Sequence, residues 1–125
     1  EDNDCVGWIS VGPMTDFFWL WRRLTQIGET DARTTAGIMC INIDTKFRSK
    51  GYQEKLLKAL VIYGREMGWK TIEGYPFEDE TFKIHGLSLD WTGFSSGYEK
   101  AGFKKIGPHW LSAPEYQRAI YQNVL

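Results

Sequence analysis

The chain has 125 residues, the size of one ordinary domain, and 42% hydrophobic with 25% charged residues is the balance of a globular chain that folds in water. Fifteen Lys and Arg against 16 Asp and Glu leave a formal charge of −1, so no basic excess exists to neutralise a nucleic acid backbone, and nucleic acid is not an expected partner. The longest mainly apolar stretches, 17–21 and 59–63, fall far short of the ~20 residues of a membrane helix, so neither a membrane partner nor a secretory signal is expected.

In chain order, 5–11 is short and rich in β-formers, and Gly12-Pro13 closes it, which predicts a strand and a turn. Thr15 or Asp16 can cap a short helix over 15–24, although the packed aromatics there leave helix and loop both open. Residues 28–35 read as an exposed loop. The nearly continuous apolar run 38–43 predicts a second strand in a central, doubly covered position. Residues 52–67 form the clearest helix: Leu56, Leu57, Leu60, Val61, Gly64 and Met67 recur at steps of three and four, with Glu54, Lys55, Lys58, Arg65 and Glu66 opposite, and Gly68 ends it. A short strand over 71–75, stopped by Pro76, completes a strand–helix–strand unit across 38–75, which implies parallel pairing. Residues 77–91 read as a long acidic and aromatic loop, 95–101 as a short helix closed by Gly102, 103–106 as a strand, and 118–125 as a closing strand. One domain over 1–125 is expected, without internal repeats. Cys5 and Cys40 lie in apolar runs outside any ligand-spaced cluster and read as reduced and buried, which fits a cytoplasmic location; a disulfide between them is the less favoured reading.

The stretch 41–57 carries the chemistry. A buried strand passes through the basic, glycine-containing turn Arg48-Ser49-Lys50-Gly51 into an amphipathic helix. A helix N-terminus leaves N–H groups unpaired and carries partial positive charge, so an anion placed there satisfies donors and dipole together. Arg48 and Lys50 add full charge, and Gly51 lets the backbone approach closely. The bland alternative is an ordinary strand-to-helix turn with solvated basic residues.

Arg48-x-x-Gly51-x-Gln53 resembles the Arg/Gln-x-x-Gly-x-Gly/Ala pyrophosphate loop of the GNAT superfamily of acetyl-CoA-dependent N-acetyltransferases. Tyr98-Glu99-Lys100-Ala101-Gly102-Phe103 is similar to that family's Tyr-Glu-Lys-x-Gly-Phe ending. The resemblance covers about 6–125. It implies an α/β fold of GNAT type, a mixed and mostly antiparallel sheet flanked by helices with one parallel pair splayed apart. It also implies an N-terminally abbreviated form, in which the family's first strand, two helices and much of the next strand would precede Cys5.

Carried over by position, the resemblance implies that the backbone around Arg48, Ser49, Lys50, Gly51, Tyr52 and Gln53 holds the pyrophosphate of coenzyme A. Ile41, Asn42 and Ile43 would receive the pantetheine arm, and Tyr98 would protonate the departing thiolate; packing beneath Phe103 is the equal alternative for Tyr98. Thr45, Ser49 and Gln53 depart from the family's proline, glycine and Gly/Ala, and Gln53 either reaches phosphate through its amide or crowds the site. Where family members often carry an Asn, this chain reads Asp90-Trp91-Thr92-Gly93.

Glu73 is the best candidate base for the amine, against the reading of a salt-bridged strand residue. Glu78, Asp79 and Glu80 either attract a cationic acceptor or form a solvated acidic loop, the favoured reading. His85 and His109 stand alone, so no metal is expected. Phe17, Phe18, Trp19, Trp21 and Trp91 read as acceptor-pocket wall or core. The expected function is transfer of an acetyl group from acetyl-CoA to a primary amine, on a small molecule or peptide, by direct attack in a ternary complex. The alternative is a catalytically silent acyl-CoA-binding or protein-interaction module. A second copy of the chain is a predicted partner, either by pairing the edge of the strand over 5–11, which has neither charge nor proline to protect it, or by exchanging the strand over 118–125.

Overall fold

A computed structural model of the chain describes residues 4–17, 33–81, 92–109, 112, 114 and 117–125. Within these, five strands form one sheet: β1 (Gly7–Pro13), β2 (Thr35–Ile43), β3 (Thr71–Gly74), β4 (Lys104–Pro108) and β5 (Ala119–Val124), in the order β1-β2-β3-β5-β4. Only β2 and β3 run parallel, and the other three pairings are antiparallel. Helix α1 (Tyr52–Glu66) makes the crossover between them, as the strand–helix–strand reading requires, and a shorter helix α2 (Ser95–Lys100) follows β3.

The sheet's boundaries differ from the sequence expectation at both ends of β1. Gly12 and Pro13 do not form a turn but continue the strand, pairing with Gly37 and Ala36. Proline is tolerated there because β1 is the outermost strand among the described residues. A 3-10 turn, Met14–Phe17, follows where a helix or loop was open, and the ring of Phe17 with residues 18–32 and 82–91 lies outside the described residues, taking with it Phe18, Trp19, Trp21, His85 and Trp91. Strand β2 begins three residues earlier than expected, at Thr35. Cys5 is exposed and Cys40 half-buried; neither is in a disulfide, and neither is fully buried as their apolar neighbours suggested.

One irregularity shapes the rest. In the β1–β2 ladder Ser10 faces Cys40 but Val11 faces Ile38, which leaves Met39 as an extra residue in β2. Such a bulge inverts the alternation of side chains. Ala36 and Ile38 before it and Ile41 after it therefore share one face, where they join Leu57, Leu60, Val61 and Ile72 in the main core. Each of the isoleucine, leucine and valine side chains among them contributes on the order of 1.5–3 kcal/mol by burial. Met39 turns to the opposite face and packs with Met14, Tyr75 and Ile120 in a second, smaller cluster.

The parallel pairing stops almost as soon as it starts. Thr35, Ala36 and Gly37 pair with Thr71, Ile72 and Glu73, after which β2 runs on to Ile43 without β3. The gap is wedged by Tyr98, which is fully buried and packs edge-on to Phe103 at 5.2 Å between centroids and tilted on Tyr121 at 5.8 Å. Gly74 has no side chain because Tyr98 occupies that space: a Cβ there would lie 2.6 Å from Cζ of the ring. Gly74→Ala is therefore expected to destabilise the protein by about 1–3 kcal/mol in denaturant unfolding. Gly37→Ala, whose Cβ meets only ordinary contacts at 3.7 Å or more, is expected to change stability by less than about 0.5 kcal/mol. Equal effects of the two substitutions would remove Tyr98 as the wedge.

Candidate functional site

The turn after β2 is built by its own side chains. Asp44 accepts from the Lys46 N–H at 2.9 Å and starts a short 3-10 turn, Thr45–Phe47. Arg48 then folds back, its Nε donating to the carbonyl of Ile43 at 2.9 Å, so the guanidinium is fixed at the strand end. Ser49 (φ 61°) and Gly51 (φ 80°) are both left-handed, which turns the chain sharply into α1. At Ser49 this conformation costs on the order of 1–2 kcal/mol for a residue with a Cβ. The N–H groups of the first turn of α1, which have no acceptor within the helix, and the positive end of its dipole thus face the same space as Arg48.

That space is a cleft of about 280 Å³. Ile41 and Ile43 form its floor, Arg48, Ser49, Gly51, Tyr52 and Gln53 one wall, and Phe94, Ser96, Gly97 and Lys100 of α2 and its approach the other. Seven of the nine residues expected to hold the cofactor therefore line one cavity. Asn42 alternates away from it, and Lys50 is exposed, its Nζ 5.8 Å from the centre of the Phe47 ring. Lys100 and the α2 wall were missed. Their signal in the sequence is the glycine pair Gly93 and Gly97 bracketing the start of α2 just before Tyr98.

Gln53 crosses the cleft. Its Nε2 donates to the Phe94 carbonyl at 3.0 Å, and its Oε1 accepts from the Phe94 N–H at 3.2 Å. A Cβ at Gly97 would lie 2.8 Å from Cδ of Gln53, and one at Gly93 3.0 Å from Nε2. Neither of the two sequence alternatives for Gln53 described this contact with backbone.

Tyr98 and Glu73 sit on opposite faces of the sheet where β2 and β3 part. The Tyr98 hydroxyl lies beside Gly74 and donates to the Thr92 carbonyl at 3.4 Å. Burial, with a smaller contribution from Cys40, pushes its pKa well above the usual phenol value, so it stays protonated. Glu73 is 1% exposed and points the other way, accepting from the Tyr75 hydroxyl at 3.4 Å and from Nε2 of Gln122 at 3.2 Å. Burial raises its pKa from 4.5 to about 7, and those two hydrogen bonds only partly offset the rise. The salt-bridge alternative for Glu73 does not hold: its partners here are neutral.

Two members of the acidic run are spent on structure. Glu78 pairs with Lys105 at 3.0 Å. Asp79 accepts from the Ser95 hydroxyl at 3.0 Å and the Ser96 N–H at 3.2 Å, which ties it to the start of α2. His109 is buried edge-on to Tyr75 at 5.8 Å, and burial with the nearby Arg118 charge lowers its pKa to about 4. Among the described residues no cluster of His, Cys, Asp or Glu could hold a metal, and no helix is long and apolar enough to cross a membrane.

No protein-family model matches the sequence, and no curated protein matches it. Solved structures do. One is aminoglycoside acetyltransferase AAC(6')-Ib in complex with coenzyme A and kanamycin, at 19% identity and TM-score 0.63, covering 99% of this chain and 62% of that one. A second is an N-acetyltransferase from Staphylococcus aureus Mu50, at 16% identity and TM-score 0.61, covering 99% and 63%. A third, from Desulfovibrio desulfuricans, is assigned as an acetyltransferase of the GNAT family, at 19% identity and TM-score 0.63, covering 99% and 64%. The fold of this chain is the GNAT fold, as the resemblance implied. The chain spans less than two-thirds of the length of each of these three structures.

The Glu73 environment has a measurable consequence. Its folded pKa of about 7 lies above the ordinary 4.5, so its contribution to stability is fully present below pH 4.5 and is lost as pH rises through about 7. Glu73→Gln removes that loss. The variant is expected to gain on the wild type as pH rises, by up to about 3 kcal/mol above neutrality, in unfolding curves measured across the range. Parallel pH–stability profiles for the two proteins would remove the shifted carboxyl.

Proposed function

We propose that this chain transfers an acetyl group from acetyl-CoA to a primary amine, on a small molecule or peptide, by direct attack in a ternary complex with no metal and no covalent enzyme intermediate. One observation carries the reading: the left-handed, basic cradle opens on a cleft lined by Ile41 and Ile43, in the part of β2 that runs on beyond its pairing with β3, and Tyr98 and Glu73 sit on opposite faces of that parting. The cradle suits coenzyme A, because the amides at the start of α1, with Arg48 and Lys100, match a pyrophosphate in charge and hydrogen bonding. The edge of β2 beyond Gly37 offers backbone groups along Ile41, Asn42 and Ile43 to the amides of a pantetheine arm. The fold shared with coenzyme A-bound and kanamycin-bound AAC(6')-Ib supports both the cosubstrate and a small-molecule amine acceptor.

Acetyl-CoA supplies an activated acyl carbon when bound, and the proton transfers fall to this chain's side chains. Glu73, with its pKa near the operating pH, takes the proton released as the C–N bond forms. Tyr98, kept neutral by burial, gives its proton to the sulfur as the C–S bond breaks. The second reading, a silent acyl-CoA-binding or protein-interaction module on the same fold, is favoured by one specific feature, the Gln53 bridge across the cleft.

A single pair of measurements tests this function. A hundredfold excess of coenzyme A over Kd should stabilise the wild type by about 2.7 kcal/mol, raising its melting temperature by several degrees. Tyr98→Phe should keep most of that shift but lose on the order of 10²-fold in kcat for acetyl transfer. No melting shift overturns the cradle for either reading, and a shift without turnover in the wild type selects the silent module.

We also propose that β1 pairs with a second copy of the chain. Its outer edge has no strand partner among the described residues, and Trp8 is half exposed there. Light scattering at micromolar concentration is expected to give twice the 14.5 kDa chain mass, and a clean monomer overturns the pairing.

A further inference from the structure

Gln53 is held more firmly than a surface glutamine at a helix start has reason to be. Both ends of its amide bond the same residue, Phe94, which stands 41 positions along the chain on the other wall of the cleft. Two hydrogen bonds in parallel fix the side chain's direction as well as its reach. The glycines at 93 and 97 leave room for it on either side. A Cβ at Gly93 would also meet Ile41 Cγ2 and the Tyr98 ring, each at 3.0 Å, so the bridge sits where cleft floor, wedge and α2 converge.

Arg48, Ser49 and Gly51 line the same cleft as the bridge, and the Tyr98 ring comes up to the bridge at Gly93, where one Cβ would lie 3.0 Å from both the ring and Nε2 of Gln53. A compact anion reaches the cradle without disturbing Gln53. An extended arm running from the cradle toward Tyr98 meets the bridged amide on the way. We propose that Gln53 is a specificity-determining residue, which admits the nucleotide diphosphate part of a ligand freely and its extended arm only when the amide leaves Phe94. This rests on the coenzyme A reading above and adds to it the chain's own control over how the arm is received.

The test compares coenzyme A with its arm-less nucleotide portion, 3′-phospho-ADP, by calorimetry on the wild type, Gln53→Ala and Gln53→Met. Alanine removes the bridge and opens the passage. Methionine keeps the length and the helix but has no amide to tether, so it guards against a variant that loses its fold. Both variants are expected to bind coenzyme A about tenfold more tightly than the wild type, since a net hydrogen-bond pair no longer has to be broken first. Their affinity for 3′-phospho-ADP should stay within about twofold of the wild type, because position 53 serves the cradle only through its backbone, which both substitutions keep. Faster hydrogen exchange at the Phe94 amide in both unliganded variants is the accompanying sign that the bridge has gone. If 3′-phospho-ADP binds but the ratio of the two affinities is the same in all three proteins, the role of Gln53 is overturned and the cradle stands. If 3′-phospho-ADP binds none of them, the coenzyme A reading falls and takes this inference with it.

Discussion

The parting of β2 from β3 after Gly37 and Glu73 is the constraint from which the rest follows. Breaking off a parallel ladder exposes backbone N–H and C=O groups that must find other partners or be covered. Two features of the chain shape the resulting gap. The Met39 bulge turns Ile41 and Ile43 toward the α1 side just as the pairing ends. Tyr98 then fills the gap with an aromatic ring held against Phe103 and Tyr121, at a position only a glycine, Gly74, can share. A strand that simply continued beside its neighbour would leave no cleft, and the turn after Ile43 would open on a closed sheet.

The two faces of the sheet differ in kind because of this. On the α1 side the core is aliphatic and aromatic, and the buried Tyr98 hydroxyl near the parting bonds a carbonyl. On the other side titratable groups crowd into a small apolar cluster: Glu73, Tyr75 and His109, with Arg118 stacked at 4.2 Å on the Phe77 ring. Burial pushes the carboxyl up and the imidazole down, each toward its neutral form. Such an arrangement costs stability at neutral pH, and structures keep costs of this kind mostly where a proton has to be moved. The placement of a persistent acid and a shifted carboxyl across one gap is what lets the proposed acyl transfer be divided between two faces.

Sequence alone reached the elements that have strong periodicity or strong punctuation. The α1 helix was legible because Leu57, Leu60 and Val61 recur at helical steps and Gly68 stops them, and the cradle because charge and glycine coincide with a helix start. The bulge was not legible: a run such as Ile38-Met39-Cys40-Ile41 is apolar throughout, so no alternation reveals where the facing changes. Pro13 was misread as a turn because proline is punctuation everywhere except on an outer strand, and the strand order is a long-range fact. The α2 wall escaped because Phe94, Gly97 and Lys100 become cleft residues only through packing against α1. Glu73 was found as a candidate, but its neutral partners Tyr75 and Gln122 lie on the same face only once β3 and β5 are paired.

Ser49 and Gln53, two departures from the pyrophosphate-loop pattern that the sequence resembles, act on different parts of the site. Ser49 accepts a left-handed backbone where glycine would adopt it freely, which is a local strain. Gln53 leaves the backbone of α1 regular but sends an amide across the cleft to Phe94. The first therefore bears on stability, while the second bears on what the cleft receives. The two hydrogen bonds also couple the start of α1 to the approach of α2, the two walls between which a ligand would lie. A side chain that joins both walls of a cleft fixes its width in the free protein, and any ligand long enough to pass between them competes with that side chain for the same space.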